Sequence, residues 1–321
     1  MSTGLLELAL FDPKLGQVFY TLDPRPHADR SLDRPQNCLT CHGGSRTHNW
    51  PGVLVCSVYA DDNGHPLLAN GSFLTGHDSP LEERWGGWYV TGQHGMQTHM
   101  GNVIARETEE GVVLNRNDGA NVESLEPYFD TSPYLRKTSD IVALMVLEHQ
   151  VNMHNALLRA NLIVRQAERR QRTLLQQLGE KRPDTYTGST LSVANSQVNH
   201  VLKDLLFCDE MEISDDGIEG DEAFQEAFQA NKKDNAAGKS LKDFNLRERL
   251  FKYRCSYMIY SQSFNALPRG IKNMLYERLY HILHDEVPHE DFAHLKDWER
   301  EIIADILLET KPDLAKAWAK L

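Results

Sequence analysis

No stretch of this chain approaches the roughly 18 consecutive apolar residues of a membrane-spanning helix. Positive charge is also short: 34 Lys and Arg stand against 46 Asp and Glu, a net charge of −12. A protein that binds a phosphate backbone needs a basic face, so the charge argues against nucleic acid as a partner and suits a cationic partner or none. There is no internal repeat and no low-complexity tract, and 321 residues with 40% apolar content suffice for one large core or two modest ones. The acidic stretch Asp209–Glu226 lacks the D-x-D-x-D-G ladder and closing Glu of a calcium loop. It reads as a solvated loop, Asp215 included, or as a docking site for a basic partner. Cysteine is sparse and odd in number, five in all, so complete internal pairing is impossible. A Cys208–Cys255 disulfide is open, and the simpler reading of Cys56, Cys208 and Cys255 is as small buried hydrophobes.

The other two cysteines lie in Asn37-Cys38-Leu39-Thr40-Cys41-His42-Gly43-Gly44, which contains C-x-x-C-H. Two thiols at this spacing can form thioethers with the two vinyl groups of one haem, and the next residue can give its imidazole to the iron. From the chain's own composition the pattern arises by chance about three times in a thousand. A zinc site would need two further ligands, and no second C-x-x-C is present. A thioredoxin-like pair belongs near a βαβ pattern, whereas Pro35 and Gly43-Gly44 read as loop.

At this motif the chain resembles the c-type cytochromes, and more specifically the larger single-haem cytochromes of environmental bacteria. The resemblance covers five residues. It implies one covalently attached haem c, with Cys38 and Cys41 as attachment points and His42 as the proximal metal ligand. It also implies a periplasmic or extracytoplasmic location, because these proteins receive their haem there. Met1 to Leu10 has neither a basic n-region nor a long apolar h-region, so an export segment removed ahead of residue 1 is expected.

Residues 1–36 read as a lead-in arm, held extended by Pro24, Pro26 and Pro35. Val53 to Tyr59, the turn Asp62-Asn63-Gly64 and His65-Pro-Leu-Leu predict a β-hairpin, and Gly86 to Gly92 and Gly111 to Leu114 predict short strands. Residues 27–100 carry seven of the fourteen histidines, from His27 to His99, and three of the five tryptophans. Trp85 and Trp88 are candidate walls of a cofactor pocket. The loop Gly92 to Gly101 offers His94, His99 and Met100 as candidate distal metal ligands. His154 is another, although a core histidine is its simpler reading.

From Thr138 the period becomes helical. Leu144, Leu147, Val151, His154, Leu158 and Leu162 form one stripe of a helix running to about Arg172, with His149 on the far side. A break over 179–190, including Pro183, precedes a helix from about Ser192 to Phe207. Leu246, Leu250, Tyr253 and Tyr257 predict another helix. Further helices follow from Ile271, Leu275, Leu279 and Ile282, and from Leu295, Trp298, Ile302 and Ile306, with Pro288 and Pro312 as punctuation. The expected fold is mainly α: a loop-rich haem-binding segment with a small β-hairpin over 1–137, covered by a helical bundle over 138–321.

Two functions follow from the sixth iron position. With a ligand from the His94–Met100 loop the protein carries electrons between redox partner proteins. With an open position it would reduce a peroxide or small oxyanion, a distal His acting as acid and base and Arg84 or Arg106 stabilising charge. A haem-bearing subunit or sensor that binds a partner protein is a third reading.

Overall fold

The computed structural model describes residues 5–12, 15–25, 31–181, 185–214, 216–287 and 289–321. Pro26, His27, Pro183, Asp215 and Pro288 lie outside the described residues. Among those described, the chain is mainly α, with eight helices and three two-stranded antiparallel sheets. It divides into two units. The first takes Met1–Leu54, Met153–Asp204 and Met258–Leu279, and the second takes Val55–Asn152, Leu205–Tyr257 and Tyr280–Leu321. Each unit therefore draws on chain from both sides of residue 138.

In the first unit the expected arm is a hairpin, β1 (Leu6–Asp12) paired with β2 (Gly16–Leu22). The prolines that suggested an irregular arm fall after both strands. The Asp12 carboxylate closes the turn by accepting from the Leu15 N–H at 2.8 Å. Gly16 has φ +82°, and a Cβ there would stand 2.2 Å from Leu158 of helix α2 (Ile141–Leu178). Glycine thus serves both the turn and the approach of hairpin to helix. Helix α3 (Gly188–Leu205) follows, with Ala194, Val198, Val201, Leu202 and Leu205 buried at helical spacing. The Asn161 amide donates to the Ala266 carbonyl at 3.2 Å, fixing α2 against the chain after helix α5 (Gln262–Asn265).

The second unit contains the remaining short strands. Strand β3 (Cys56–Val58) pairs with β4 (Ser72–Leu74), so the return strand lies beyond His65–Leu68, which contributes only the Ala60–Pro66 bridge. The short strand expected at Gly111 is β6 (Gly111–Val113), and it pairs with β5 (Arg106–Thr108), which sequence reasoning did not anticipate. Gly86 to Gly92 is no strand. Trp85 adopts φ +65°, and the Asn102 side chain bridges both backbone groups of Val90, folding the segment into a cross-linked loop.

Between residues 141 and 164 helix α2 is buried on more than one face, with Val142, Glu148, His149, Met153 and Leu157 all inaccessible. His149, placed on the far side by periodicity, is fully buried, while Leu147 on the expected stripe is 36% exposed. A helix surrounded by chain has no polar side for the pattern to reveal.

The expected helix over Leu246–Tyr257 is absent. Leu246 has φ +58°, and the Asn245 side-chain Oδ1 accepts from the Arg247 and Glu248 N–H groups, each at 2.9 Å, an Asx-type turn that competes with helix. Leu250, Tyr253 and Tyr257 are nonetheless buried. After helix α4 (Glu222–Gln229), helices α6 (Arg269–His284), α7 (Asp297–Thr310) and α8 (Pro312–Trp318) complete the chain. In α7 the buried stripe is Ile303, Ile306 and Leu307, whereas Trp298 is 49% exposed. The helix begins only at Asp297, so Leu295 does not set its phase. Pro312 occupies the first turn of α8, where a missing N–H costs nothing.

Candidate functional site

Residues Cys38–His42 form a one-turn helix, α1, closed by the Gly43 N–H donating to the Leu39 carbonyl at 3.0 Å. Residues three and four apart share a helix face, so Cys38, Cys41 and His42 present their side chains to one side. Both thiols are free; Cys38 is half-buried and Cys41 exposed. The flanking prolines and glycines pointed to loop here. It is the single helical turn that gathers the three groups.

His42 is oriented by a reciprocal pair of bonds with Gly52. The Gly52 N–H donates to the His42 carbonyl at 2.8 Å, and His42 Nδ1 lies 3.0 Å from the Gly52 carbonyl oxygen. A carbonyl can only accept, so Nδ1 carries a proton, and in the neutral ring the lone pair is on Nε2. Metal-ligating histidines are commonly oriented through the other ring nitrogen in this way. Phe19 of β2 stacks on the imidazole, with ring centroids 4.6 Å apart and planes inclined by 30°.

Gly52 is itself held in place. Asn155 of α2 receives the Val53 N–H at 3.2 Å and donates to the Val53 carbonyl at 2.7 Å. A Cβ on Gly52 would approach Asn155 Oδ1 to 2.7 Å and the Thr47 methyl to 3.1 Å, so the position has no room for a side chain. Beside Asn155, His154 is half-buried, with Nδ1 2.8 Å from the Ser263 hydroxyl and its ring 5.6 Å from that of Phe11. Burial pushes the His154 imidazole below its usual pKa, toward the neutral form that binds metals. Sequence reasoning found Cys38, Cys41 and His42 but not Gly52, Asn155 or Ser263, which have no signature short of their contacts.

The other candidate ligands belong to the second unit, and hydrogen bonds there occupy them. His94 Nδ1 donates to the Gln97 carbonyl at 2.8 Å while its Nε2 accepts from the Asn121 N–H at 3.0 Å, leaving no lone pair. His99 Nδ1 accepts from the Gly101 N–H at 3.0 Å, which puts the ring proton on Nε2. Burial holds the His99 pKa down at about 3, so a second proton is not taken up. The Met100 sulfur, 1% exposed, receives the Ser57 hydroxyl at 3.7 Å. Trp85 is fully buried with its edge toward His99, and Trp88 donates to the Cys56 carbonyl at 2.7 Å. His94, His99 and Met100 are thus buried in the second unit, while Met96 at the tip of the loop is exposed.

Arg84 is committed as well. It is 1% exposed and paired at 2.8 Å with Glu148, itself wholly buried; Arg106 is exposed. Near this pair, His149 lies 2.6 Å from the Ser256 hydroxyl through Nε2 and stacks on Phe207 at 4.1 Å, with His77 3.5 Å from its Nδ1. Burial keeps both histidines neutral. Cys208 and Cys255 are separate buried thiols, Cys208 donating to the Asp291 carbonyl at 3.4 Å.

The acidic stretch does more structural work than a solvated loop. Asp221 caps α4 by accepting from the Ala223 N–H, and Asp216 accepts from the Met96 N–H at 2.9 Å. Its first residues, Asp209 to Ile213, help line a cavity of about 780 Å³ together with Arg249, Arg254, His294 and Trp298. In that cavity burial pushes the Glu210 carboxyl up to about 7, against the bond from the Leu250 N–H.

Among the described residues no three His, Cys, Asp or Glu side chains stand together in a group that could hold a metal ion. No helix of the described residues is long and apolar enough to cross a membrane. Comparison with known proteins finds no matching family model, no matching characterised sequence and no matching solved structure.

Proposed function

We propose that this chain is a monohaem c-type cytochrome that carries electrons between redox partner proteins outside the cytoplasm. Thioethers from Cys38 and Cys41 hold haem c, and His42 is the proximal ligand. The observation that carries the reading is the His42 ring, whose Nδ1 is committed to the Gly52 carbonyl while Nε2 is open on the same helix face as two free thiols. The haem, when bound, supplies a one-electron iron couple. The protein's own work is to fix the ring angle through Gly52 and the Asn155 clamp, and to place Phe19 as an apolar wall beside the imidazole.

The substrate-reducing alternative has less support. Of the two cations it could draw on, Arg84 is bonded to Glu148, Ser79 and His77, which leaves only the exposed Arg106. Expression with a haem-attaching maturation system tests the proposal. A haemochrome band should survive denaturation and acid-acetone extraction, and should be lost in Cys38→Ser/Cys41→Ser. Absence of covalent haem from the wild-type chain under these conditions sinks the reading.

A further inference from the structure

In the loop from His94 to Met100 the His94 Nε2 and His99 Nδ1 lone pairs each accept a backbone N–H, and the Met100 sulfur accepts the Ser57 hydroxyl. We infer that His154 of α2 is the distal axial ligand, giving bis-histidine coordination built within the first unit. This rests on the haem reading above and adds one residue to the same site.

Three independent contacts carry it. In hairpin β1–β2, Ala9 stands opposite Phe19 and Phe11 opposite Gln17. Directly paired residues, and residues two apart along a strand, share a face of the sheet. Phe11 and Phe19 are therefore diagonal neighbours on one face. Phe19 touches the His42 ring and Phe11 touches the His154 ring, so both imidazoles stand against the same side of the hairpin.

The second contact runs through the backbone. Gly52, which orients His42, is followed by Val53, which is gripped through both its N–H and its carbonyl by Asn155, the neighbour of His154. Two residues of loop and two of helix thus connect the rings, and neither pair is free to slide.

The third is the chemistry of the ring. Each histidine has its Nδ1 engaged by a local oxygen, the Gly52 carbonyl for His42 and the Ser263 hydroxyl for His154. The Ser263 hydroxyl can accept from Nδ1–H, and in that tautomer Nε2 of His154 presents a lone pair as Nε2 of His42 does. His94 also donates Nδ1–H to a carbonyl, but its Nε2 lone pair is taken by the Asn121 N–H, and His99 receives the Gly101 N–H on Nδ1.

Haem-loaded wild-type protein, His154→Ala, His154→Gln and His99→Ala are compared by absorption and electron paramagnetic resonance, in parallel with haemochrome yield and circular dichroism. The wild type and His99→Ala should be low-spin in both oxidation states, with no carbon monoxide binding within mixing time. Both His154 variants should keep covalent haem, lose the low-spin signal and bind carbon monoxide in the ferrous form. Added imidazole should restore the low-spin spectrum of His154→Ala. A low-spin spectrum that persists in both His154 variants overturns the assignment, as does a high-spin wild type or conversion by His99→Ala. Covalent haem in the wild type with any of those results refutes His154 alone. No covalent haem at all refutes the cytochrome reading and the assignment with it.

Discussion

Arg84→Met removes the cation of a fully buried ion pair. The guanidinium donates to Glu148 Oε2 at 2.8 Å, to the Ser79 carbonyl at 2.7 and 2.9 Å, and to the His77 carbonyl at 3.1 Å. The variant leaves two carbonyls short of donors and a carboxylate without its counter-charge. Breaking such a pair from one side costs about 3–5 kcal/mol, a large share of a typical domain stability of about 5–15 kcal/mol. The cost depends on pH in a definite direction. Burial already pushes the Glu148 carboxyl above its usual pKa, and Arg84 is the largest influence holding it down. Without Arg84 the carboxyl rises further. A carboxyl raised on folding contributes its stability below the unfolded pKa and loses it as pH climbs through the folded one.

The penalty of Arg84→Met should therefore be smallest near pH 5 and largest near pH 8. Replacing both partners, in Arg84→Met/Glu148→Met, removes the stranded charge and should recover at least about 2 kcal/mol relative to the sum of the single variants. Urea denaturation of the four proteins at both pH values measures this. A cost under about 1 kcal/mol at pH 8, or strict additivity, would refute the reasoning. Either result would return Arg84 to candidacy as a substrate-facing cation.

Gly52→Ala should displace the Asn155 clamp and lower stability by about 1–2 kcal/mol in urea melts, with the low-spin spectrum of the loaded protein broadened; an unchanged protein would mean the loop yields freely. Glu210→Gln removes a group whose folded pKa of about 7 exceeds its ordinary 4.5. The wild type should lose up to about 3 kcal/mol relative to this variant as pH rises from 4.5 through 7, and flat relative stability across that window would contradict it. Thiol titration after denaturation should find all five cysteines in the apoprotein. It should find only Cys56, Cys208 and Cys255 in the loaded protein, and five reactive thiols there would exclude thioethers. In native apoprotein the exposed Cys41 should react at once, and the buried Cys255 only on unfolding.

The sequence by itself determined the elements whose signals are local. The apolar periods over Ile141–Leu178 and Arg269–His284 are long enough to specify helices. The break at Pro312 and the short strand at Gly111 belong with them. Short apolar spacing was not enough at Leu246–Tyr257, where the Asn245 side chain holds the turn N–H groups and the same residues are buried without a helix.

Only the tertiary structure decided which histidines have a lone pair to offer. His42, His94, His99, His149 and His154 are chemically identical in sequence; carbonyls and backbone N–H groups assign the proton of the first three, while the serine hydroxyls beside His149 and His154 admit either tautomer. For His42 that partner is Gly52, ten residues on, and for His154 it is Ser263, 109 residues on. A contact made across such separations has no local pattern to announce it. The folded chain alone sets His42 and His154 against one face of a hairpin, because the register of β1 on β2 decides which side Phe11 and Phe19 share.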